Sequence, residues 1–339
     1  MRLALVGAGR MGRRHAANIV AAGHELAAVC DPDPKAAAQV SRLTGARRME
    51  LGKMLAAGAA EAVVIASPAA AHAAAAAACV RAGVPFLCEK PLGADLAASR
   101  RLAKLAAERG AYGMVSLNRR YDRQFGMLRD GVKKGQVGKV EIVKLVSRSE
   151  KVPPLAYVKS SGGLLRDKGA HFFDLACWLT RQLPVAVQAT GKRLFCPELA
   201  AADDHDTAMI TLELADGALC HFDFSRRAPY GQDERVEIMG SKGMLQCSFP
   251  PAHACVRVRA DGVAEAAAPK STWQEHYAPT YAAALDAFTA SLRRGKPPPI
   301  PIGAGLLAEL IAAAAARSIA SGRRTPVDTA GIDPACVAA

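Results

Sequence analysis

The sequence GAGRMG at residues 7–12 constrains the fold of this chain more than any other feature. It follows the apolar run LALVG and precedes a segment, 10–21, with the apolar spacing of a helix. Three glycines in this arrangement permit a tight turn, let a pyrophosphate approach the backbone, and allow the helix to pack closely on the strand. The turn at a helix N-terminus therefore predicts a dinucleotide site. Its predicted contacts are Gly7, Gly9, Arg10, Met11 and Gly12.

Short apolar strands alternate with helices over the first 120 residues. The predicted strands are 3–7, 26–31, 62–67, 85–90 and 112–117. The predicted helices are 10–21, a segment opening with DPDPKAAAQVSRL, 69–82 and 95–109. Continuously apolar strands alternating with helices indicate a parallel sheet covered on both faces. Together with the glycine pattern, this predicts an α/β chain whose residues 1–120 form a Rossmann domain.

Asp31 stands at the end of the predicted second strand, roughly 20 residues after the glycine-rich turn. A carboxylate there accepts hydrogen bonds from the adenosine ribose and repels a 2′-phosphate, which favours NAD over NADP. The alternative is that Asp31 is the N-cap of the next helix, ahead of Pro32, although Asp33 can also serve as that cap.

After about residue 121 the pattern changes to period-two alternation, as in DTAMITLEL and ALCHFDFS, which the turn signal Asp216-Gly217 separates. The runs RVEIMG, MLQCSF and CVRVRA continue it. Residues 121–327 are thus predicted to form an α+β domain with a largely antiparallel open sheet. Two closing helices, 279–294 and 303–321, can pack back on the first domain, and residues 328–339 are expected to form a frayed tail.

The segment GGLLRDKGAHFFD, residues 162–174, places three ionisable groups in an apolar run. At about 100° per residue, Asp167 and His171 lie roughly 40° apart on a helix, with Asp174 between them. Buried ionisable groups are costly unless they are paired or used in chemistry. A metal site is one alternative, but no further His or Cys is placed to complete a ligand shell, so no metal is predicted. Asp174 is expected to be a structural residue that bonds a backbone amide or Arg166.

A second polar pair, Glu89-Lys90, occurs in CEKPLG at the end of a predicted buried strand. Open α/β sheets bind ligands at the carboxyl ends of their strands, so this position favours a functional role. A surface ion pair is the alternative.

Charge and cysteine content exclude several classes of protein. The formal net charge is +13, but the Lys and Arg residues are dispersed, which disfavours nucleic-acid binding and favours anionic small ligands. The nine cysteines never form CxxC, which predicts reduced thiols in a cytoplasmic protein. The first apolar stretch is too short for a signal peptide, and no membrane span is predicted.

Four motifs follow one another along the chain: GAGRMG, ASPAAAH (66–72), CEKP and GGLLRDKGAHFFD. In this order they resemble the Gfo/Idh/MocA oxidoreductases, and the resemblance covers nearly the whole chain. Within that family the middle of the chain is most similar to bacterial inositol 2-dehydrogenases. Three segments carry that similarity: NRRYD (118–122), SRSEKVPPLAYVKSSGG (147–163) and SRRAPYGQDERVEIMGSKGM (225–244).

The resemblance implies a catalytic trio of Lys90, Asp167 and His171. A histidine suits the role of general base, an aspartate one turn away can orient it, and a lysine can stabilise a developing alkoxide. The resemblance also implies substrate contacts by the trio together with Arg120 and Tyr230. It adds Ser67, His72, Glu89, Lys90 and Tyr281 to the cofactor contacts. The alternatives are a helix-start residue for His72 and a core aromatic for Tyr281.

The resemblance implies NAD-dependent oxidation of a ring hydroxyl on a cyclitol or sugar, with myo-inositol as the first candidate substrate. The protein is expected to be a homo-oligomer (dimer or tetramer). Three alternatives stay open: a dehydrogenase of another sugar, uronate or cyclitol; a non-catalytic NAD-binding regulator; and an enzyme that recycles NAD during glycoside cleavage. The sequence departs from the pattern at Lys168, where relatives usually carry an uncharged residue. Gln232 and the Glu150-Lys151 pair also depart from it. A cation at position 168 either faces the pocket and favours an acidic sugar or points outward.

Overall fold

A computed structural model describes residues 1–249, 257–258, 264–265 and 273–338 of the chain. The first part is a six-stranded, all-parallel sheet with the strand order β3-β2-β1-β4-β5-β6. Its strands are β1 (Arg2–Val6), β2 (Glu25–Cys30), β3 (Arg47–Arg48), β4 (Ala62–Ile65), β5 (Phe86–Glu89) and β6 (Gly113–Ser116). The strand order reverses between β1 and β4, and doubly wound sheets bind their ligands at such a switch point.

Helices cover this sheet, as the alternating pattern predicts. They are α1 (Arg10–Ala21), α2 (Pro34–Thr44), α3 (Leu51–Ala56), α4 (Ala69–Arg81) and α5 (Leu96–Glu108). Asp33, rather than Asp31, caps α2, because its side chain accepts a hydrogen bond from the Lys35 amide. Strand β3 and helix α3 are not in the sequence-based prediction. The strand is two exposed arginines and the helix is a short LGKMLA, so neither carries a recognisable apolar period.

The second part is built on a seven-stranded sheet with the order β12-β11-β7-β10-β9-β8-β15. Its elements are α6 (Arg123–Lys133), β7 (Val140–Arg148), α7 (Leu155–Ser161), α8 (Ala170–Thr180), β8 (Pro184–Lys192), β9 (Thr207–Leu214), β10 (Leu219–Ser225), β11 (Asp233–Gly240), β12 (Gly243–Phe249) and β15 (Thr325–Pro326). The neighbouring pairs are antiparallel except β7 with β10, which is parallel. This confirms the predicted fold class. The predicted strand CVRVRA lies largely outside the described residues, of which Arg257–Val258 (β13) pair with Ala264–Glu265 (β14).

Helix α8 is buried along its whole length and packs against this sheet. Phe173 contacts Phe222 and Phe224 of β10, and Phe172 contacts Phe224. The apolar residues that flank the polar stripe of GGLLRDKGAHFFD therefore anchor the segment to the sheet. The polar residues among them are held at fixed positions inside the protein.

The closing helices α9 (Trp273–Arg293) and α10 (Ile302–Ser321) return to the first sheet. Helix α9 packs on α1, and α10 packs on α5 and on α8. The chain entering α10 also pairs with β6, where the Val115 amide donates to the Ile300 carbonyl at 3.0 Å. By length and mean hydropathy of 1.5, α10 could cross a membrane, but 72% of that stretch is buried inside the fold. It is a core helix of the protein.

The expectation of a frayed C-terminal tail is wrong. Residues 335–338 form the short helix α11 (Ala335–Ala338), in which Cys336 and Val337 are buried. Arg120 donates to the Cys336 carbonyl at 3.0 Å, and Arg129 donates to the Ala338 carbonyl at 2.6 Å. Two buried guanidinium groups thus hold the backbone of a segment whose composition alone gave no sign of order.

Candidate active site

The glycine-rich turn has the geometry that a bound pyrophosphate needs. Gly7 has a φ of +95°, and a Cβ on it would lie 2.5 Å from the Ser67 amide nitrogen. A Cβ on Gly12 would lie 1.9 Å from the Gly7 carbonyl oxygen, so the helix can approach the turn only without a side chain there. A Cβ on Gly9 would meet nothing within 4 Å, and Gly9 is the N-cap of α1 without any side-chain cap. The space beside Gly9 at the N-terminus of α1 is therefore open, as an anion site requires.

Asp31 immediately follows β2 and holds the glycine-rich turn in place. One carboxylate oxygen accepts from the Ala8 amide at 2.6 Å, and the other accepts from the Asp33 amide at 2.8 Å. Both oxygens keep a further lone pair for a ribose hydroxyl. The carboxylate lies beside the turn, at the carboxyl end of β2, where the sequence pattern predicts it.

Ser67 and His72 lie at the carboxyl end of β4 and connect it to the loop after β5. The His72 ring is buried, with Nδ1 2.6 Å from the Pro91 carbonyl oxygen and Nε2 2.6 Å from the Ser67 carbonyl oxygen. The Ser67 hydroxyl is buried and has no hydrogen-bond partner among the described residues. His72 is therefore a bridge between two strand ends, whereas the Ser67 hydroxyl is available to a ligand.

Glu89, at the end of β5, is joined to α1 by a buried contact. His15 Nε2 lies 2.7 Å from Glu89 Oε1. Burial acts to raise the pKa of Glu89, but the hydrogen bond and charge of His15 outweigh it and the pKa is lowered. Tyr281 packs edge-on against the His15 ring, and the Arg14 guanidinium lies over the Tyr281 ring. Glu89 is thus an ionised group inside the fold, and Tyr281 is part of the wall around it.

Lys90 and Asp167 form the centre of the site. Lys90 Nζ donates to Asp167 Oδ1 at 2.7 Å and to the Asp167 carbonyl oxygen at 2.9 Å. The Tyr157 hydroxyl also donates to Asp167 Oδ1, at 3.3 Å. Burial acts to raise the pKa of Asp167, but the charge and hydrogen bond of Lys90 outweigh it, so the pKa is lowered and the pair is ionic.

The helical phase predicted for the polar stripe is wrong, because Asp167 does not belong to a regular α-helix. Residues Leu165–Gly169 form a π-helical turn, and α8 begins only at Ala170. A π turn widens the helix and changes the direction of each side chain, and such turns occur often at functional sites. Asp167 consequently contacts Lys90, and no hydrogen bond joins it to His171 among the described residues.

His171 lies on the first turn of α8 and is only 6% exposed. Its Nδ1 is buried, and no hydrogen-bond partner for it lies in the part of the chain that the structure describes. Burial, then the positive charges of Arg119 and Lys90, lower its pKa well below the ordinary value. The imidazole is therefore neutral near pH 7, which is the form that accepts a proton.

We expected Asp174 to bond Arg166 or a backbone amide, but among the described residues it does neither. It forms a buried, bidentate ion pair with Arg120, whose Nε and Nη2 donate to its two oxygens at 2.9 and 2.6 Å. Arg166 instead pairs with Glu309 of α10 at 2.7 Å and donates to the Gly93 and Ala94 carbonyls. Glu309 also accepts from the Leu92 amide at 2.8 Å, so this network ties α10 and the π-helical turn to the loop that follows Lys90.

The two arginines of NRRYD have different positions. Arg120, with a side chain 3% exposed, is engaged by Asp174 and by the Cys336 carbonyl. Arg119 lies 3.6 Å above the Tyr277 ring and 3.6 Å from Glu234, and its charge acts on His171. Sequence reasoning selected Arg120 and missed Arg119. The adjacent pair of arginines was the signal, but only the fold distinguishes which of them acts by its charge on the pKa of His171.

Tyr230 is 64% exposed, in the loop before β11. Its hydroxyl accepts from Arg148 at 2.9 Å and donates to Asp233 at 2.9 Å. None of its described hydrogen bonds reaches Lys90, Asp167 or His171. Lys168 points into the protein, where Nζ donates to the Ser147 and Ser225 carbonyls, each at 3.2 Å.

Comparison with known proteins identifies the family of this chain. Residues 1–117 match the family described as an oxidoreductase family with an NAD-binding Rossmann fold. Residues 125–246 match the GFO/IDH/MocA C-terminal domain. The chain belongs to the Gfo/Idh/MocA oxidoreductase family. It is accordingly an oxidoreductase, with NAD as its cofactor.

Individual Gfo/Idh/MocA proteins match over nearly the full length of the chain. Inositol 2-dehydrogenase of Rhizobium meliloti is 34% identical over 96% of this chain and 99% of the relative. Myo-inositol 2-dehydrogenase of Thermotoga maritima is 30% identical over 97% of this chain and 99% of the relative. The crystal structure of a myo-inositol dehydrogenase from Corynebacterium glutamicum superposes with a TM-score of 0.88 at 31% identity, covering 97% of this chain and 99% of that one.

Proposed function

We propose that this chain oxidises a ring hydroxyl of a cyclitol or sugar with NAD, with myo-inositol as the first substrate to test. The observation that carries this proposal is the Lys90–Asp167 ion pair at the carboxyl end of β5, together with a buried His171 whose pKa the Lys90 charge helps to lower. The names of the relatives support the substrate class, because two that match over 99% of their own length are inositol 2-dehydrogenases.

The proposed reaction removes a hydride from the ring carbon and a proton from its hydroxyl, leaving a ketone. Bound NAD supplies the acceptor for the hydride. His171 is the proposed base, because its neutral imidazole can take the hydroxyl proton. Lys90 is proposed to donate to the same oxygen and to stabilise the negative charge that develops there. Asp167 then acts mainly on Lys90, by holding its ammonium group in position.

Residues 1–120 are proposed to carry the cofactor, and residues 121–327 to complete the substrate site. The proposed cofactor contacts are the turn at Gly7, Gly9, Arg10, Met11 and Gly12, with Asp31, Ser67, His72, Glu89, Lys90 and Tyr281. The open space at Gly9 and the unpartnered hydroxyl of Ser67 support this set. The proposed substrate contacts are Lys90, Asp167 and His171. The resemblance alone adds Arg120 and Tyr230, whose described hydrogen bonds go to other groups of the protein. Arg119 is proposed to act indirectly, because its charge helps to lower the pKa of His171.

A cytoplasmic location and a homo-oligomeric state complete the proposal. The described cysteines are free thiols, most of them buried, which is typical of a reducing compartment. Apolar side chains such as Met209 and Leu219 are exposed on the outer face of the seven-stranded sheet, as on a surface that a second copy covers. Light scattering of the purified protein would test the oligomeric state.

A panel of neutral cyclitols and sugars, assayed with NAD by NADH absorbance, tests the proposed reaction. We expect turnover with at least one of these compounds. The regulator alternative predicts NAD and sugar binding without NADH formation. The glycoside-cleavage alternative predicts product formation with tightly retained NAD and no net NADH. Either of those results would contradict the dehydrogenase proposal.

A further inference from the structure

Lys168 is the one residue of the π-helical turn that reaches the ends of two strands in the second sheet. Its Nζ donates to the Ser147 and Ser225 carbonyls, each at 3.2 Å. Ser147 is next to the last residue of β7, and Ser225 is the last residue of β10. These two strands run parallel, so both carbonyls lie at the same edge of the sheet.

The charged groups that act on Lys168 form ion pairs with other residues and not with Lys168. Four groups act on its pKa by their charge: Glu234, Arg226, Asp167 and Arg119. Asp167 is paired with Lys90 at 2.7 Å, Arg226 with Asp204 at 2.7 Å, and Glu234 with Arg119 at 3.6 Å. Among the described residues no carboxylate lies within ion-pair distance of Lys168. Its ammonium group has three donors and gives two of them to carbonyl oxygens, so within the described part of the chain the third donor has no acceptor and the charge has no ion-pair partner.

Lys168 shares this neighbourhood with other groups that lack a partner. The Ser147 hydroxyl is buried without a hydrogen-bond partner, on the face of β7 that also buries Val143 and Leu145. Arg119 Nε and His171 Nδ1 are likewise buried, and the described residues supply no partner for either atom. Burial lowers the pKa of Lys168 to about 7, since the attraction of Glu234 and Asp167 does not compensate for it. Several hydrogen-bonding groups near the proposed base are thus left to a ligand.

We propose that Lys168 selects a substrate whose ring carries a carboxylate, such as a uronate, over the corresponding neutral sugar or cyclitol. The carboxylate would accept the third donor of Lys168 and supply the missing negative charge, while a hydroxyl of the same ring lies at Lys90 and His171. This inference rests on the proposed function, since it concerns the substrate of that same site. A hydrogen bond between charged groups changes affinity by about 10- to 100-fold.

The direct test compares matched substrates that differ only in the carboxylate: glucose with glucuronate, and galactose with galacturonate, with myo-inositol beside them. We expect the wild type to show a kcat/KM at least about tenfold higher for one uronate than for its neutral partner. Lys168→Met should reduce that ratio by about 10- to 100-fold, mainly through the KM of the uronate. Lys168→Arg should retain part of the preference. Lys159→Met, which removes an exposed lysine of α7, is the matched control and should leave the ratio unchanged.

The pH dependence of the wild type tests the same inference without a variant. The facing charges are Glu234 on β11, Arg226 after β10, Arg119 after β6, and Asp167 on the same turn. A carboxylate binds the charged form of Lys168, so the uronate-to-neutral ratio of kcat/KM should fall above about pH 7. The ionisation of His171 affects both substrates and cancels in the ratio. A ratio that is flat with pH and insensitive to Lys168→Met would overturn the inference.

Failure of the proposed function would give a different result from failure of the inference about Lys168. If none of these compounds produces NADH, the dehydrogenase proposal is wrong, while the recognition of carboxylates can still be measured. Calorimetric titration of glucuronate and of glucose into the NADH-saturated protein, wild type and Lys168→Met, reports binding alone. Equal affinity for the two sugars in the wild type, or an equal loss for both in the variant, would contradict a carboxylate contact at Lys168.

Discussion

Lys90 and Asp167 are 77 positions apart in the sequence, yet the lysine ammonium donates to both the carboxylate and the backbone carbonyl of the aspartate. One partner comes from the end of β5 in the first sheet, and the other from the π-helical turn before α8. The ion pair therefore joins the predicted cofactor side of the protein to its predicted substrate side. Glu309 and Arg166 brace the same junction from α10.

This coupling makes a prediction for a double-mutant cycle. Asp167→Asn removes the charge that holds Lys90, and we expect kcat to fall by about 10- to 10³-fold with NADH binding retained. Lys90→Met should cause a loss at least as large. Because the two residues act as a unit, the double variant should lose little more than the worse single variant. Losses that multiply would show that Asp167 acts independently of Lys90.

Asp31 should control the choice between NAD and NADP. Asp31→Ser removes the carboxylate beside the glycine-rich turn, and we expect the NAD-to-NADP ratio of kcat/KM to fall by about tenfold or more, because the repulsion of the 2′-phosphate is lost. Asp33→Asn removes a charge two residues away, keeps a side chain that can cap α2, and should leave the ratio nearly unchanged. A wild type that prefers NADP would show that the role assigned to Asp31 is wrong.

Asp174 should be structural although it lies in the same polar segment as His171. Asp174→Asn leaves the buried Arg120 guanidinium without its ionic partner, and breaking such a pair lowers the free energy of unfolding by about 3–5 kcal/mol. Denaturant unfolding measures this loss. The kcat and KM of the folded variant should stay close to those of the wild type. A large rise in KM at normal stability would instead support the substrate contact that the resemblance assigned to Arg120.

The acid limb of the pH profile should reflect His171. Its pKa is lowered by burial and by the charges of Arg119 and Lys90, so with a neutral polyol kcat/KM should begin to fall only well below pH 6.5. Arg119→Met removes a positive charge that opposes protonation, so the pKa should rise and the limb should move to higher pH. Arg123→Met changes an exposed arginine nearby and is the control. If the acid limb stays at the same pH in Arg119→Met, the limb belongs to a group other than His171.

The sequence was sufficient to predict the parts of the fold in which apolar residues recur at a regular spacing. GAGRMG and the buried strands around it predicted the parallel sheet, because a period of apolar residues and a glycine turn are both local properties. The pairing of β7 with β10 was beyond prediction, since parallel register is decided by contacts 77 positions apart, such as Leu219 with Ile142. The order of the tail depends in the same way on Arg120 and Arg129, far away in the chain.

The candidate site was predictable by residue type but less so by geometry. Lys90, Asp167 and His171 were selected from motifs, and the structure brings Lys90 together with Asp167. The π-helical turn could not be read from GGLLRDKG, because the inserted residue changes the backbone hydrogen bonds without changing the apolar pattern. For the same reason the sequence alone pairs Asp167 with His171, and Asp174 with Arg166 or a backbone amide.

The most direct measurement on the proposed chemistry is the kcat of His171→Ala on the best substrate of the panel, with melting temperature and NADH affinity measured on the same sample. We expect kcat to fall by about 10²- to 10⁴-fold, the usual contribution of a positioned general base, with folding and NADH binding retained. A folded, NADH-binding His171→Ala protein that turns over its substrate at the wild-type rate would contradict the role of His171 as the base.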